Sequence, residues 1–171
     1  MSKGRLFTFG CSMTKYYWPT WADIIGRQWN YFENWGQPAA GNNFIFNSVI
    51  ECDTRNKFTP EDTILILWTG VARIDYYQQN SWFHQCNPIE VFVRKNSEKN
   101  LSCPDGYEII SYPLFKSLHH YLDTKKLNYK FFSWTGYDTK SKAGILYKDT
   151  LEKINLIKLN IGPKSIKRIN D

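Results

Sequence analysis

Apolar positions along this chain follow two alternating rhythms. Solid runs at Arg5–Phe9 (RLFTF), Thr63–Trp68 (TILILW) and 129–134 (YKFFSW) have strand length and are rich in aromatic or β-branched residues. Runs without polar alternation are expected of strands buried on both faces of a parallel sheet. Between them, apolar residues recur every three or four positions, the spacing of one helix face. Trp21, Ile24, Ile25 and Trp29 predict a helix over 18–32 opened by Pro19, and Phe44, Ile45 and Val49 predict one over 43–52. Leu114, Leu118, Tyr121 and Leu122 predict a third over 113–126, and a fourth follows over 145–159. A short second strand fits 33–36. Residues 76–112 keep neither rhythm and read as an irregular insertion carrying one hairpin. A tail runs from about 158 and shows no further strand.

Strands alternating with helices predict an α/β layer fold around a parallel sheet. The 171 residues suit one domain, 1–171, large enough to bury a core without disulfide or metal staples. In such a sheet, ligands bind beyond the carboxyl ends of the strands. That rule points to three loops: the one after Phe9, the one over 36–43 and the one after Trp68.

Each loop carries usable chemistry. In Gly10-Cys11-Ser12 a serine stands two residues past a strand-ending glycine. Its hydroxyl can project as a nucleophile where a following helix aims its N–H groups, or it can cap a turn. Cys11 is nearer the strand and reads as a small buried residue. In the second loop, Gly41 allows close approach to a ligand, and Asn42 or Asn43 offers a neutral donor for a developing oxyanion. The same residues equally cap the helix that follows. In the third loop, Arg73 and Asp75 stand two apart, to form a local ion pair or to face a pocket where the arginine binds an anionic group.

Charge and cysteine usage narrow the partners. Lys and Arg total 22 against 16 Asp and Glu, a net charge of +6, and 17% of residues are aromatic. That combination suggests nucleic acid, but the excess is scattered as single residues and pairs over 125–168, as in a solvated basic tail. Cys11, Cys52, Cys86 and Cys103 form no CxxC pair, and no histidine follows at zinc-site spacing, so no metal is expected. The N-terminus has no secretory apolar region, and no stretch is long enough to span a membrane. The cysteines therefore read as reduced thiols of a protein made in a cytoplasm.

In their order, the three loops resemble the SGNH (GDSL-like) hydrolase family, specifically the short members found in bacteriophages and other viruses. Gly10-Cys11-Ser12 is similar to the first block, where Gly-Asp-Ser, or Gly-Cys-Ser in divergent members, carries the nucleophile. Trp18-Pro19-Thr20-Trp21 resembles the phage-type helix start. Asn34-Trp35-Gly36 through Gly41-Asn42 resembles the second, oxyanion block. The third block is usually Gly-x-Asn-Asp. Gly70-Val71-Ala72-Arg73 lacks that Asn and is closer to the Trp-Ser/Thr-Gly-x-x-Arg-x-Asp pattern of viral members. The resemblance covers about Leu6 to Asp75, with an echo at 129–134. It implies a three-layer α/β/α fold with a flavodoxin-like parallel sheet. It also implies hydrolysis of a carbohydrate ester or other small acyl ester through an acyl-serine, with no metal or organic cofactor. In that scheme Ser12 attacks, and the N–H groups of Ser12 and Gly41 with the Asn42 amide hold the oxyanion.

The family's base lies in a closing Asp-x-x-His block, which this sequence lacks. Its histidines are His84, His119 and His120, and Asp138 is followed three residues later by Ser141. His84, in the insertion, is the candidate base, because loops can fold over a site. His119 and His120 read as surface or packing residues of a helix. The alternative is a site that has lost catalysis in a virion or interaction protein, which keeps the fold as a scaffold for protein partners.

Overall fold

Along the chain the elements run β1 (Arg5–Phe9), α1 (Trp21–Gly26), β2 (Tyr31–Asn34), α2 (Asn42–Asn56), β3 (Thr63–Trp68), β4 (Ile74–Gln78) and β5 (Ser81–Gln85). They continue with α3 (Pro104–Thr124), β6 (Asn128–Ser133), α4 (Lys142–Leu146), α5 (Lys148–Lys153) and β7 (Ile157–Lys158). This is a computed structural model, which describes residues 4–85, 104–133, 139–154 and 157–158.

The solid apolar runs become the centre of a five-stranded sheet in the order β2-β1-β3-β6-β7, every pair parallel. The chain steps from β1 to β2 on one side and returns to β3 on the other. The strand order therefore reverses at β1 and β3, the position where such sheets bind ligands. Pairing of Leu6 with Thr63 through Phe9 with Ile66 sets the carboxyl ends of these two strands side by side.

Alternate side chains of the sheet serve two different layers. Phe7, Phe9, Ile64, Ile66, Trp68 and Phe131 pack against Ile45 and Val49 of α2 and Phe115, Leu118 and Leu122 of α3. Trp68 is completely buried, its ring 4.4 Å from that of Phe115 and 5.5 Å from that of Phe131. On the opposite face Leu65 and Phe132 meet Trp21 and Ile25 of α1. The result is the expected α/β/α arrangement with a flavodoxin-like strand order. Two polar clamps close the end away from the loops. Arg5 grips both carboxylate oxygens of Asp62, at 2.8 and 2.6 Å. Asp53 at the end of α2 accepts the Phe58 N–H, the Tyr121 hydroxyl and the Lys125 ammonium. Burial pushes the Asp53 carboxyl up, but those donors outweigh it and hold the group below the usual carboxylate range.

Several boundaries differ from the periodicity, each for a tertiary reason. The helix expected over 18–32 is only α1. Thr20 opens it, its N–H donating to Asp23 Oδ2 at 2.8 Å. It stops where Gly26 lies against Phe32, so close that an added Cβ would sit 2.4 Å from the ring. The helix expected from 113 begins at Pro104 and so takes in the last part of the expected insertion, with Pro113 in its interior. Glu108, Ser111 and Tyr112 continue the buried face of Phe115, Leu118 and Leu122, and that burial outweighs the hydrogen bond proline forfeits. Residues 145–159 do not form one helix; α4 and α5 divide the segment, with Ser141 Oγ accepting from Gly144 N at 2.9 Å at its start. A fifth strand does exist, contrary to expectation, because β7 pairs two residues against the edge of β6. The hairpin lies at β4 and β5, turning through Gln79 and Asn80 with φ of 50° and 60°. Two positive φ values make the mirror-image turn that matches strand twist. The rest of the insertion and most of the tail lie outside the described residues.

Candidate active site

The three strand-end loops are stitched together where the strand order reverses. Gln37 N–H donates to Gly10 O at 3.0 Å, joining the second loop to the first. The Asn42 amide both donates to Thr69 O (3.2 Å) and accepts from Thr69 N (3.0 Å), joining the second to the third.

Ser12 sits in a turn made by Thr14 and Lys15, whose N–H groups both donate to Cys11 O, at 2.8 and 3.1 Å. The turn is tight because Gly10 carries no Cβ; one placed there would lie 2.1 Å from Thr14 Oγ1. Cys11 is buried and free, as its position beside the strand suggested. Ser12 is half-buried and lines a cavity of about 320 Å³ with Met13, Tyr16, Trp18 and Thr20. Among the described residues no histidine lines this cavity, and no hydrogen bond joins Ser12 to one.

Asp75 accepts three hydrogen bonds at this end of the sheet. Its side chain is completely buried. Oδ1 accepts from Gly41 N at 2.7 Å, and Oδ2 accepts from Phe44 N at 2.8 Å. Asp75 thus caps α2 from outside, supplying the acceptor that Gly41 at the cap position lacks. Oδ1 also faces His84 Nδ1 at 2.7 Å, and the imidazole is nine-tenths buried. A carboxylate can only accept, so Nδ1 carries the proton, and in the neutral imidazole the lone pair lies on Nε2. Phe44 meets the His84 ring edge-on at 4.9 Å and Trp82 edge-on at 5.6 Å, holding the hairpin against α2.

The candidate residues therefore fall into two groups. Gly41, Asn42, Arg73, Asp75 and His84 are brought together, while Ser12 lies in a separate cavity. Asn42, Asn43, Val71, Arg73, Ile74 and Asp75 line a cleft of about 310 Å³, closed by Tyr107, Ile110, Ser111 and Leu114 of α3. Two of the three donors assigned to the oxyanion are already occupied in this conformation. Gly41 N–H is held by Asp75, and the two amide hydrogens of Asn42 go to Thr69 O and Ser111 Oγ. Arg73 reaches Ala40 O at 3.2 Å. His119 meets the Tyr129 hydroxyl, and His120 lines a groove between α2 and α3, so both take packing and surface roles. Burial pushes the Cys52 thiol up to about 12, which keeps it protonated and inert.

The Asp75–His84 pair and the contributions of Phe44 and Ser111 were missed in the sequence. One signal for the pair was present. Asp75 and His84 are directly opposite in the hairpin register, so centring the turn on Gln79-Asn80 pairs them. Among the described residues no cluster of three or more His, Cys, Asp or Glu could hold a metal, and no helix is long and apolar enough to cross a membrane.

No protein-family model matches this chain, and no curated protein matches it. Among solved structures it is similar to a member of the lipolytic protein G-D-S-L family from Veillonella parvula. The identity is 12% and the TM-score 0.48, over 98% of this chain and 84% of that one.

Proposed function

We propose that the protein is a serine ester hydrolase of SGNH (GDSL-like) type, with Ser12 as nucleophile and His84, oriented by Asp75, as general base. One observation carries this reading: a buried carboxylate on Nδ1 of a histidine, at the same end of the sheet as a serine in the turn after β1. Such a pair is the orienting half of a catalytic triad, and it supplies the base whose sequence block is missing. Ser12 and His84 share no hydrogen bond here, so this reading requires the hairpin and the Ser12 turn to close on one another around substrate.

The reaction balances as acyl transfer to serine and then to water. Ser12 Oγ bonds to the acyl carbon while its proton passes to His84 Nε2. The ester C–O bond then breaks, and the alcohol leaves with that proton. Water attacks the acyl-serine through the same base, releasing the acid and restoring Ser12. The backbone N–H of Ser12 serves the oxyanion; Gly41 and Asn42 join it only by exchanging their present partners.

Hydrolysis of p-nitrophenyl acetate by wild type and Ser12→Ala tests this. The substitution is expected to lower kcat/KM about a thousandfold or more while the unfolding temperature stays within a few degrees. Equal rates in the two proteins overturn the assignment. They would favour the rival reading, a non-enzymatic scaffold for protein contacts, which is supported by the absence of a histidine around Ser12 among the described residues.

A further inference from the structure

The hairpin of β4 and β5 stands apart from the five-stranded sheet. Among the described residues, each of its strands pairs only with the other. Its inner face packs on α2, where Phe44 meets His84 and Trp82. On its outer face Tyr76 and Phe83 lie directly opposite one another, 46% and 41% exposed. Their rings stack 5.4 Å apart and within 9° of parallel. The run from Tyr76 to Gln85 includes no Lys, Arg, Asp, Glu or Pro. Exposed edge strands are ordinarily protected by charge, proline or a bulge, and β5 carries none of these.

The register shows which backbone groups β5 offers. The turn through Gln79 and Asn80 makes Gln78 and Ser81 a hydrogen-bonded pair, after which open and hydrogen-bonded pairs alternate. Trp82 and His84 fall in open pairs, so their N–H and C=O groups point to the outer edge of β5. Phe83 falls between them.

We propose that β5 pairs with β5 of a second copy of this chain, antiparallel across a two-fold axis, to form a four-stranded sheet. An antiparallel strand centred on one residue is complementary to itself. With Phe83 on the axis, Trp82 exchanges two hydrogen bonds with the partner's His84, and His84 does the same with the partner's Trp82. Phe83 meets the partner's Phe83 in an open pair, where side chains approach most closely. Ser81 faces the partner's Gln85, so the whole strand is used. The stack of Tyr76 on Phe83 then continues across the axis.

Charge selects a second copy over other partners. The chain carries a net +6, so two copies repel wherever basic side chains face one another and approach closely only through an uncharged surface. Asp75, the one charged residue of the two strands, is buried on the inner face. A nucleic acid or an acidic segment would require basic side chains here, and β4 and β5 have none. Pairing of the hairpins is independent of the chemistry at Ser12.

Sedimentation equilibrium of the full chain through the micromolar range tests the pairing. Wild type is expected to approach twice the monomer mass. Phe83→Lys sets two ammonium groups opposite each other on the axis and is expected to weaken the dimer about tenfold or more. Tyr17→Lys, at an exposed ring away from the hairpin, is expected to leave it unchanged. A monomeric wild type, a dimer that Phe83→Lys leaves intact, or one that Tyr17→Lys weakens as much overturns the proposal. Cross-linking reads the register even if Phe83→Lys fails to fold. In a Cys86→Ser, Cys103→Ser background, Phe83→Cys brings two Cα atoms to about 4.5 Å, within disulfide reach. Ser81→Cys leaves its two copies about 13 Å apart along the strands. Oxidised glutathione is expected to link Phe83→Cys into a dimer about tenfold faster than Ser81→Cys. Equal rates, or no link in either, overturn the pairing.

Discussion

The two cavities at the carboxyl end of the sheet are built in opposite ways. In the cleft behind the hairpin, the Asp75 carboxylate is completely buried and takes hydrogen bonds from Gly41, Phe44 and His84. Around the Ser12 turn, the hydroxyl is half-buried and three aromatic rings stand in solvent. A polar group that leaves water must be paired, so the first region spends its chemistry on holding α2, the hairpin and the imidazole in one arrangement. The second is tied at its base, where Thr20 and Asn34 donate to Thr14 O, and its rings stand above that base in water. The difference is one of burial: one region fixes the direction of a histidine, the other leaves its rings in water.

Substitution of Asp75 breaks this contrast most sharply. Asp75→Ala strands the Gly41 and Phe44 N–H groups in a buried site, with an expected loss of about 2–4 kcal/mol in urea unfolding. Asp75→Asn keeps the shape but disturbs the histidine tautomer, and ester hydrolysis is expected to drop by about three to four orders of magnitude. If Asp75→Asn lowers stability and leaves the rate intact, Asp75 is a helix cap and nothing more.

Gly41→Ala tests how tightly the saturated region is packed. Its new Cβ would sit 2.7 Å from Asp75 Oδ2 and 2.9 Å from Arg73 O, the latter a backbone atom that cannot swing aside. A loss of about 1–3 kcal/mol is expected, with a broadened His84 signal in NMR as the carboxylate shifts. An unaltered protein would show that the cleft is looser than its hydrogen bonds imply.

In the open region, acid acts through Asp23. Burial pushes this carboxyl up, but the Thr20 N–H, the Asn34 amide and the Thr20 hydroxyl outweigh it and hold it below the usual range. Its stabilising contribution is therefore complete above the unfolded value near about pH 4 and is lost as pH falls below that, through the folded value. Asp23→Asn is expected to flatten this part of the curve when melting temperature is followed from about pH 6 to about pH 3. The smallest change is expected at the exposed rings themselves. Tyr17 is almost wholly exposed, and Tyr17→Ala should move stability by no more than about 0.5 kcal/mol. A larger loss would show that these rings support the fold.

Much of the scaffold was legible because it depends on neighbours in the chain. Thr63–Trp68 is a strand at the bounds its apolar run predicts, since six consecutive residues with so little polar content have no stable place outside a doubly covered sheet. Asn42–Asn56 extends the helix predicted from Phe44, Ile45 and Val49. Pro113 misled because its lost N–H is a local penalty, whereas the buried faces of Glu108, Ser111 and Tyr112 are rewarded only by contacts across the fold. Strand β7 was hidden for the same reason: two residues carry no period, and only the open edge of β6 makes them a strand.

The candidate site divides along the same line. Sequence by itself determined the α/β order of elements, the glycine-led turn that holds Ser12, and the loops that follow the carboxyl ends of the strands, because each follows from local spacing and backbone freedom. Only the tertiary structure decided that Asp75 belongs to His84 and to the first turn of α2, and that Gly41 and Asn42 donate inward. It also decided that Ser12 shares its cavity with Tyr16 and Trp18. Those partners lie far apart along the chain or across a turn whose type its residues do not announce. What brings them together is the pairing of the buried Asp75 and Asn42 side chains, which reach their partners only once the layers have packed.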